Sequence, residues 1–588
     1  MNNSKIDQDR RRLLRSAALG AAGVAAGSLA VSPATARAAS SRNWHREADI
    51  VVAGSGSAAL TAALVAAKAG AKVLVLEKGP ITGGTTRKSG GVFWIPNHYG
   101  LREQGIDDNR ADCLQYLCRM AYPELYRPDS DTLGLAPDAY ALLEAFYDHG
   151  YPMVDTLRDW GALNIAPFNM WHLQRPAPDY QGHLKENKVP SGRALGVLRK
   201  DGSDGSGSDF IDQLEAACVA AGVEVLTDHG VSSLITNSAG EIIGAEVDTE
   251  DGPIQVRSRK AVIFGTGGYV HNLEYVRQYQ RSHVYGSCAV PTATGDFITI
   301  AGALGARIGN TGSAWRSQAL IEETIVNRSL ARCVDMLPGD SMFMVNKYGV
   351  RVVNEKRNYN DRTEVHLTFD PNQGEFPNQL LFMIYDQRTA ELYGGSHPLP
   401  LTPEGSAPVI KGDTLEQLSA AIAARLDKVR AHIGNVRLAD DFSANLQETF
   451  DKFNTYARQG VDAEFQRGDT DYDRAFGLFF QPARQDTKWP ADHGMPNSTL
   501  CPLTAEGPYY AMILGAGALD TNGGPVVDEN ARVLNTAGQP IPGLYGAGNC
   551  IASPSREAYF GPGGTIGPAM TFGYIAARHA VQEPVKEA

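Results

Sequence analysis

The sequence predicts an α/β chain, a parallel-sheet domain interrupted by an inserted α+β domain that caps it. Three observations predict this. A buried run at 49–53 leads straight into Gly54-Ser-Gly-Ser-Ala-Ala, an alanine-rich segment and a second apolar run ending at Glu77. Strand-like runs of the same character return after residue 220 and again near residue 543. Between about Gly312 and Gly517 the chain changes character, with prolines, acidic helical stretches and no second glycine fingerprint.

The first elements read as a βαβ unit. Asp49–Ala53 is a strand, Leu60–Ala69 a helix stopped by Gly70, and Lys72–Leu76 the second strand, so the sheet is parallel and can carry a ligand at its C-terminal edge. A long helical and loop region follows to about Ser208. Further strands are expected at Gly222–Leu226, Glu241–Val247 and Lys260–Gly265. The first domain then spans 45–311 and 518–588, the insert 312–517 with a helix over Leu415–Ile433, and the chain returns through Gly543-Leu-Tyr-Gly-Ala-Gly-Asn to a last helix near Thr565.

Composition excludes several classes of function. With 588 residues, 43% hydrophobic and 20% charged, the chain is too long for one core and suits interleaved domains. A net charge of −12, with Lys and Arg clustered only at the extreme N-terminus, excludes a nucleic-acid partner. The seven cysteines are scattered without C-x-x-C or C-x-x-C-H spacing, so no metal, cluster or haem site is expected. At the N-terminus, Arg10-Arg11-Arg12, an Ala/Gly-rich apolar run from Ala17 to Val31 and Ala36-Arg37-Ala38 predict a twin-arginine-type signal peptide over 1–38. The run is shorter than the ~20 residues of a spanning helix, so no stable membrane span is expected after its removal and the protein is expected outside the cytoplasm.

The glycine fingerprint points to a dinucleotide. Gly54 permits the tight turn, Gly56 lets backbone approach a pyrophosphate, and Ala59 stands where helix and strand pack closely. Ser55, Ser57 and Ala58 open the helix, whose free N–H groups face the phosphates. Glu77, followed by Lys78, sits where a carboxylate accepts from ribose hydroxyls. Further contacts are expected from Gly84, Thr85, Thr86, Ser89, Gly90 and Gly91, from Val231, from Thr266, Gly267 and Gly268, and from Asn549, Gly564, Thr565 and Ile566. A molecule touched at so many separated points is long and extended. FAD fits a Rossmann-like domain of this kind better than NAD, and a single fingerprint suggests no separate nicotinamide site.

These segments, with Ser89-Gly-Gly-Val-Phe-Trp-Ile-Pro, Arg351-Val-Val-Asn-Glu followed by Tyr359-Asn-Asp, Val461-Asp-Ala-Glu-Phe-Gln-Arg-Gly and Tyr559-Phe-Gly-Pro-Gly-Gly-Thr-Ile-Gly-Pro-Ala-Met, carry a resemblance. The chain resembles the fumarate reductase and 3-ketosteroid dehydrogenase flavoprotein superfamily, and more closely the 3-ketosteroid Δ1-dehydrogenases. The resemblance implies a substrate lying between the two domains. It implies that Tyr559 and the Gly563 N–H hold the carbonyl oxygen, that Tyr359 takes the proton from the adjacent carbon, and that Tyr180, after Pro178-Asp179, supports Tyr359. The matching chemistry is clear: removing that proton builds charge on the carbonyl oxygen, and each donor aimed at it is worth about 3–4 kcal/mol. A phenol base has a pKa near ~10, and lowering it by two units needs ~2.7 kcal/mol of preferential stabilisation. With the proton gone, hydride leaves for the flavin and a C=C bond conjugated to the ketone results.

The implied function is FAD-dependent dehydrogenation of a 3-ketosteroid, or a similar apolar ring ketone, at C1–C2. An external acceptor, a quinone or a periplasmic cytochrome, would take the electrons. The rival is an exported fumarate- or urocanate-reductase-like flavoprotein, which clamps carboxylates with several arginines and has arginine where this chain has Tyr559. A flavin-bearing electron-transfer or binding protein is the alternative from another class. The helix starting near Thr565 would point its positive end at the flavin.

Overall fold

The computed structural model describes residues 43–170, 175–477, 479 and 494–587; the segment read as a signal lies outside them. The first sheet begins with β1 (Arg46–Ala53), α1 (Ser57–Lys68) and β2 (Val73–Leu76), and continues with β3 (Glu224–Leu226), β4 (Gly230–Thr236), β5 (Ile242–Asp248) and β6 (Ile254–Phe264). All of β1 from Ala48 to Ala53 is buried, as a parallel strand covered on both faces requires. β1 pairs in parallel with β2 and β6. The α1 helix starts at Ser57, three residues earlier than the sequence pattern suggests, because the fingerprint itself forms its first turn behind Gly56.

The insert carries β7 (Ala314–Leu320), β8 (Met342–Val345), α2 (Tyr359–Thr363), β9 (Leu380–Asp386), β10 (Ile410–Gly412), α3 (Leu415–Ile433), α4 (Phe442–Gln459) and β11 (Tyr509–Thr521). Its strands form a five-stranded sheet in the order β7-β11-β9-β8, with β10 on β11. Side chains of β9 alternate in period two. Phe382 and Ile384 join the core beneath α3 and α4, while Leu381, Met383 and Tyr385 join the core on the opposite face. The α3 helix has the bounds the sequence predicts.

The chain returns with β12 (Arg532–Leu534), β13 (Pro540–Gly546) and α5 (Ile566–Ala580), completing a first sheet in the order β12-β13-β6-β1-β2-β3. The β6 strand is shared: its first residues pair antiparallel with β5 and its last pair in parallel with β13. The change of domain expected at 518 falls inside β11, which runs unbroken to Thr521. Its end reaches the loop that leaves β6, where Asp520 Oδ2 accepts from Gly268 N at 2.8 Å. One long strand of the insert's sheet thus ends against the loop beyond the first sheet's β6.

Candidate active site

A cavity of about 550 Å³ runs from the β1–α1 turn to a cluster of tyrosines. At the near end the backbone is shaped for close approach. Gly54 has φ +95°, and a Cβ there would stand 2.5 Å from Gly265 O. Gly84 and Gly90 have no atom within 4 Å of where a Cβ would be. Glu77 accepts from Ser55 Oγ at 2.5 Å and from Gly79 N at 2.7 Å, and burial raises its carboxyl above the ordinary value despite those bonds. Ser55 Oγ in turn accepts from Gly83 N at 2.8 Å, and Thr86 Oγ1 accepts from Ser57 N at 3.2 Å. Thr266 Oγ1 is a buried hydroxyl with no hydrogen-bond partner among the described residues, on the cavity wall. Open glycine backbone, a buried carboxylate and an unsatisfied hydroxyl along one trough fit an extended FAD.

Of the residues expected to touch the cofactor, Gly54, Ser55, Gly56, Ser57, Ala58, Glu77, Lys78, Gly84, Thr85, Thr86, Ser89, Gly90, Val231, Thr266, Gly267, Asn549, Thr565 and Ile566 line this cavity. Gly91, Gly268 and Gly564 are not on its wall, and each sits where chain packs closely on chain. A Cβ at Gly91 would meet Ser206 at 2.7 Å, one at Gly268 would meet Asp520 and Thr521 at 2.4 Å, and one at Gly564 would meet the Tyr559 ring at 3.0 Å. These glycines let one chain segment approach another closely.

Three carboxylates on the wall, Asp296, Asp335 and Asp520, escaped the sequence reading. Asp296 opens a helix after Gly295, which has φ +76°, and it pairs with Lys78 at 2.9 Å. The Thr294-Gly-Asp turn was the available signal. Asp520 left none: besides Gly268 N it accepts from Asn549 Nδ2 at 3.3 Å, while Asn549 Oδ1 accepts from Trp315 Nε1 at 2.9 Å. Burial raises Asp520 to about 6 against these bonds.

At the far end the predicted residues converge. The Tyr180 and Tyr559 rings stack at 5.3 Å and 15°, and Tyr359 stands edge-on to both, at 5.6 Å from Tyr180 and 5.3 Å from Tyr559. The Tyr359 phenol thus lies against those of both Tyr180 and Tyr559. Burial pushes all three phenols upward, and the neighbouring phenols push Tyr359 further. Gly563, with φ +82°, lines the same space; its carbonyl accepts from Trp94 N at 3.1 Å, and its N–H donates to no described backbone carbonyl.

Each tyrosine is held by a separate anchor. Tyr180 N donates to Phe560 O at 3.0 Å, beside Tyr559. The preceding Asp179 is buried, accepts from Trp94 Nε1 at 2.8 Å and pairs with Arg193, which also grips Asp108 at 2.8 Å. Tyr359 is the first residue of α2, capped by Asn358, whose side chain accepts from Asp361 N. Glu355, four residues earlier, lies buried between Arg351 at 2.9 Å and Arg467 at 3.3 Å. The Asn-Glu-x-x-x-Tyr pattern therefore couples an ion-pair anchor to a phenol. Phe168, Trp315, Met336, Phe476, Phe479 and Leu519 supply an apolar wall. Asp335, which accepts from Ser317 Oγ at 2.9 Å, is a buried carboxyl raised by loss of hydration. Arg332 is the one arginine lining the cavity among the described residues.

The FAD binding domain family matches residues 49–566. The chain belongs to that family. The flavoprotein is 30% identical over 572 residues to 4-oxocyclohexanecarboxylate 2-dehydrogenase of Sinomonas cyclohexanicum, covering 90% of this chain and 92% of the relative. It is 30% identical over 600 residues to 3-oxosteroid 1-dehydrogenase of Mycobacterium tuberculosis, covering 92% and 99%. Among solved structures, 3-ketosteroid delta1-dehydrogenase from Sterolibacterium denitrificans, in complex with 1,4-androstadiene-3,17-dione, superposes with a TM-score of 0.75 at 26% identity, over 91% of this chain and 99% of that one. An open flavocytochrome c3 fumarate reductase shares the fold, with a TM-score of 0.60 at 21% identity over 92% of this chain and 79% of that one. The flavoprotein is an FAD-dependent oxidoreductase of the fumarate reductase and ketosteroid dehydrogenase fold.

Proposed function

We propose that this flavoprotein dehydrogenates a 3-ketosteroid at C1–C2. One observation carries the reading: three buried phenols and the Gly563 N–H share a single apolar-walled cavity with the FAD cradle. Tyr559 Oη and Gly563 N would hold the C3 carbonyl oxygen and stabilise the charge that develops there. Tyr359 Oη would take the proton from C2, and Tyr180 Oη would hydrogen-bond the resulting base. Phe168, Met336, Phe476 and Phe479 would exclude water and flank flat rings. FAD, when bound, supplies the two-electron acceptor for the hydrogen leaving C1. A reductase clamping a dicarboxylate needs several arginines at the substrate, and Arg332 alone does not supply them.

The expected site is extracytoplasmic, reached through the twin-arginine-type N-terminus, with a quinone or periplasmic cytochrome as final acceptor. The deciding experiment mixes oxidised holoenzyme anaerobically with androst-4-ene-3,17-dione. Flavin bleaching and a product lighter by two hydrogens are expected. Bleaching by 4-oxocyclohexanecarboxylate alone would keep ring-ketone chemistry and remove the steroid, while oxidation of pre-reduced flavin by fumarate alone would overturn both.

A further inference from the structure

Cys288 and Cys333 have no part in the chemistry above, yet both line the catalytic cavity. They are 45 positions apart by number, and the fold brings them to one spot. Residues 287–289 run beside 328–330, with Ser287 N donating to Arg328 O at 3.0 Å and Leu330 N donating to Ser287 O at 2.7 Å. Both segments abut β11: Ala518 N donates to Gly286 O at 3.1 Å, and Ala518 O accepts from Cys333 Sγ at 3.6 Å. Cys288 packs against Cys333 in a small apolar cluster with Ala319 and Leu330, and both thiols are free. Cys333 is buried, whereas Cys288 is half-buried.

We propose that Cys288 and Cys333 form a redox-active dithiol site in the cavity wall, closed to an intramolecular disulfide by exchange with a small-molecule disulfide. The half-buried Cys288 attacks first: its thiolate displaces one thiolate from the incoming disulfide and leaves a mixed disulfide on Cys288. Cys333 then gives up its proton, attacks the Cys288 sulfur and expels the second small thiol. Two protein thiols are oxidised, one external disulfide is reduced to two thiols, and the protons pass to the released thiolates. The order follows from exposure, since Cys288 is half-buried while the adjoining Cys288 and loss of hydration hold the buried Cys333 thiol well above its ordinary value and make it the poorer first nucleophile. The bond would tie 328–336, which carries Arg332, Asp335 and Met336, to 287–290 beside the tyrosine cluster.

The test incubates the full-length holoenzyme with oxidised glutathione, followed by alkylation of remaining thiols and peptide mapping. The expected result is a protein lighter by two hydrogens, a peptide cross-link between positions 288 and 333, and protection of those two cysteines from alkylation. Cys333→Ser should instead accumulate one glutathione on Cys288, and Cys288→Ser should give neither product. Each variant's flavin absorbance and melting temperature report whether it folds. If a variant does not fold, the wild-type map still decides. Two alkylated thiols in the wild type, a persistent glutathione adduct on Cys288, or a cross-link to any other cysteine overturns the proposal.

Discussion

Tyr359 stands edge-on to two other phenols with almost no access to water, and both conditions oppose its ionisation. Burial comes first, and the nearby Tyr180 and Tyr559 add to it, so the Tyr359 phenol lies well above its ordinary value. A base held so high bears its proton at neutral pH and works only through its small ionised fraction. The sign follows directly: kcat/KM should climb by about tenfold per pH unit from neutrality upward, with no plateau below about pH 10. A stopped-flow profile of flavin reduction checks this, and a plateau near neutrality would move the base to another group. Tyr359→Phe should lose about 10²–10⁴-fold in reduction rate while retaining the flavin spectrum. Tyr559→Phe, which removes one carbonyl donor, should lose about 10²–10³-fold.

At the scale of elements, the last turn before α5 is the tightest constraint on the site. Gly563 is left-handed at φ +82°, and a Cβ there would stand 2.3 Å from Phe93 Cα, which is backbone and cannot step aside. Gly563→Ala should therefore push the turn off the Val92–Trp94 strand. The expected cost is about 1–3 kcal/mol of stability, read as a lower melting temperature, together with a larger loss of kcat/KM than Tyr559→Phe shows. An alanine variant with wild-type turnover would remove Gly563 from the site.

The same turn shows what a sequence can disclose. A glycine leaves room that a side chain would fill, and at Gly54 and Gly84 a positive φ adds to that preference, so the stretch from Gly54 to Gly90 stands out by residue type. Gly91, Gly268 and Gly564 look identical in the sequence, because a glycine admitting another chain segment and one admitting a ligand obey the same steric rule. Asp520 could not be read at all, since its role depends on Gly268, which lies 252 positions away and comes beneath it only through the length of β11. Tyr180 had the weakest motif and has one of the firmest anchors, because Asp179 finds Arg193, Asp108 and Trp94 only in the folded chain.

At the scale of the whole molecule, the reacting group is assembled from distant parts. Tyr559 comes from the returning segment of the first sheet, Tyr180 from the long connection before β3, and Tyr359 from the insert. The insert's contribution hangs on Glu355, buried among Arg351, Arg467 and, through Arg351, Asp462 at 2.8 Å. Burial alone would raise the Glu355 carboxyl, but the guanidinium of Arg351, with Arg467, more than offsets it and holds the group at about 2. Its folded value lies below its unfolded value, so its stabilisation is fully present above about pH 4.5 and is lost as pH falls from there toward 2. Glu355→Gln should leave two buried guanidiniums undercompensated at a cost of about 3–5 kcal/mol, and should flatten the acid limb of the stability curve between those pH values. Tyr359 begins its helix four residues beyond this anchor, so the variant should lose flavin-reduction rate even where it remains folded. Denaturant unfolding at pH 7 and at steps from pH 4.5 down to pH 2.5, paired with anaerobic reduction at pH 7, measures both effects. Stability unchanged at pH 7 would show that the network does not hold the insert. A full reduction rate in a destabilised variant would show that the base keeps its place without it.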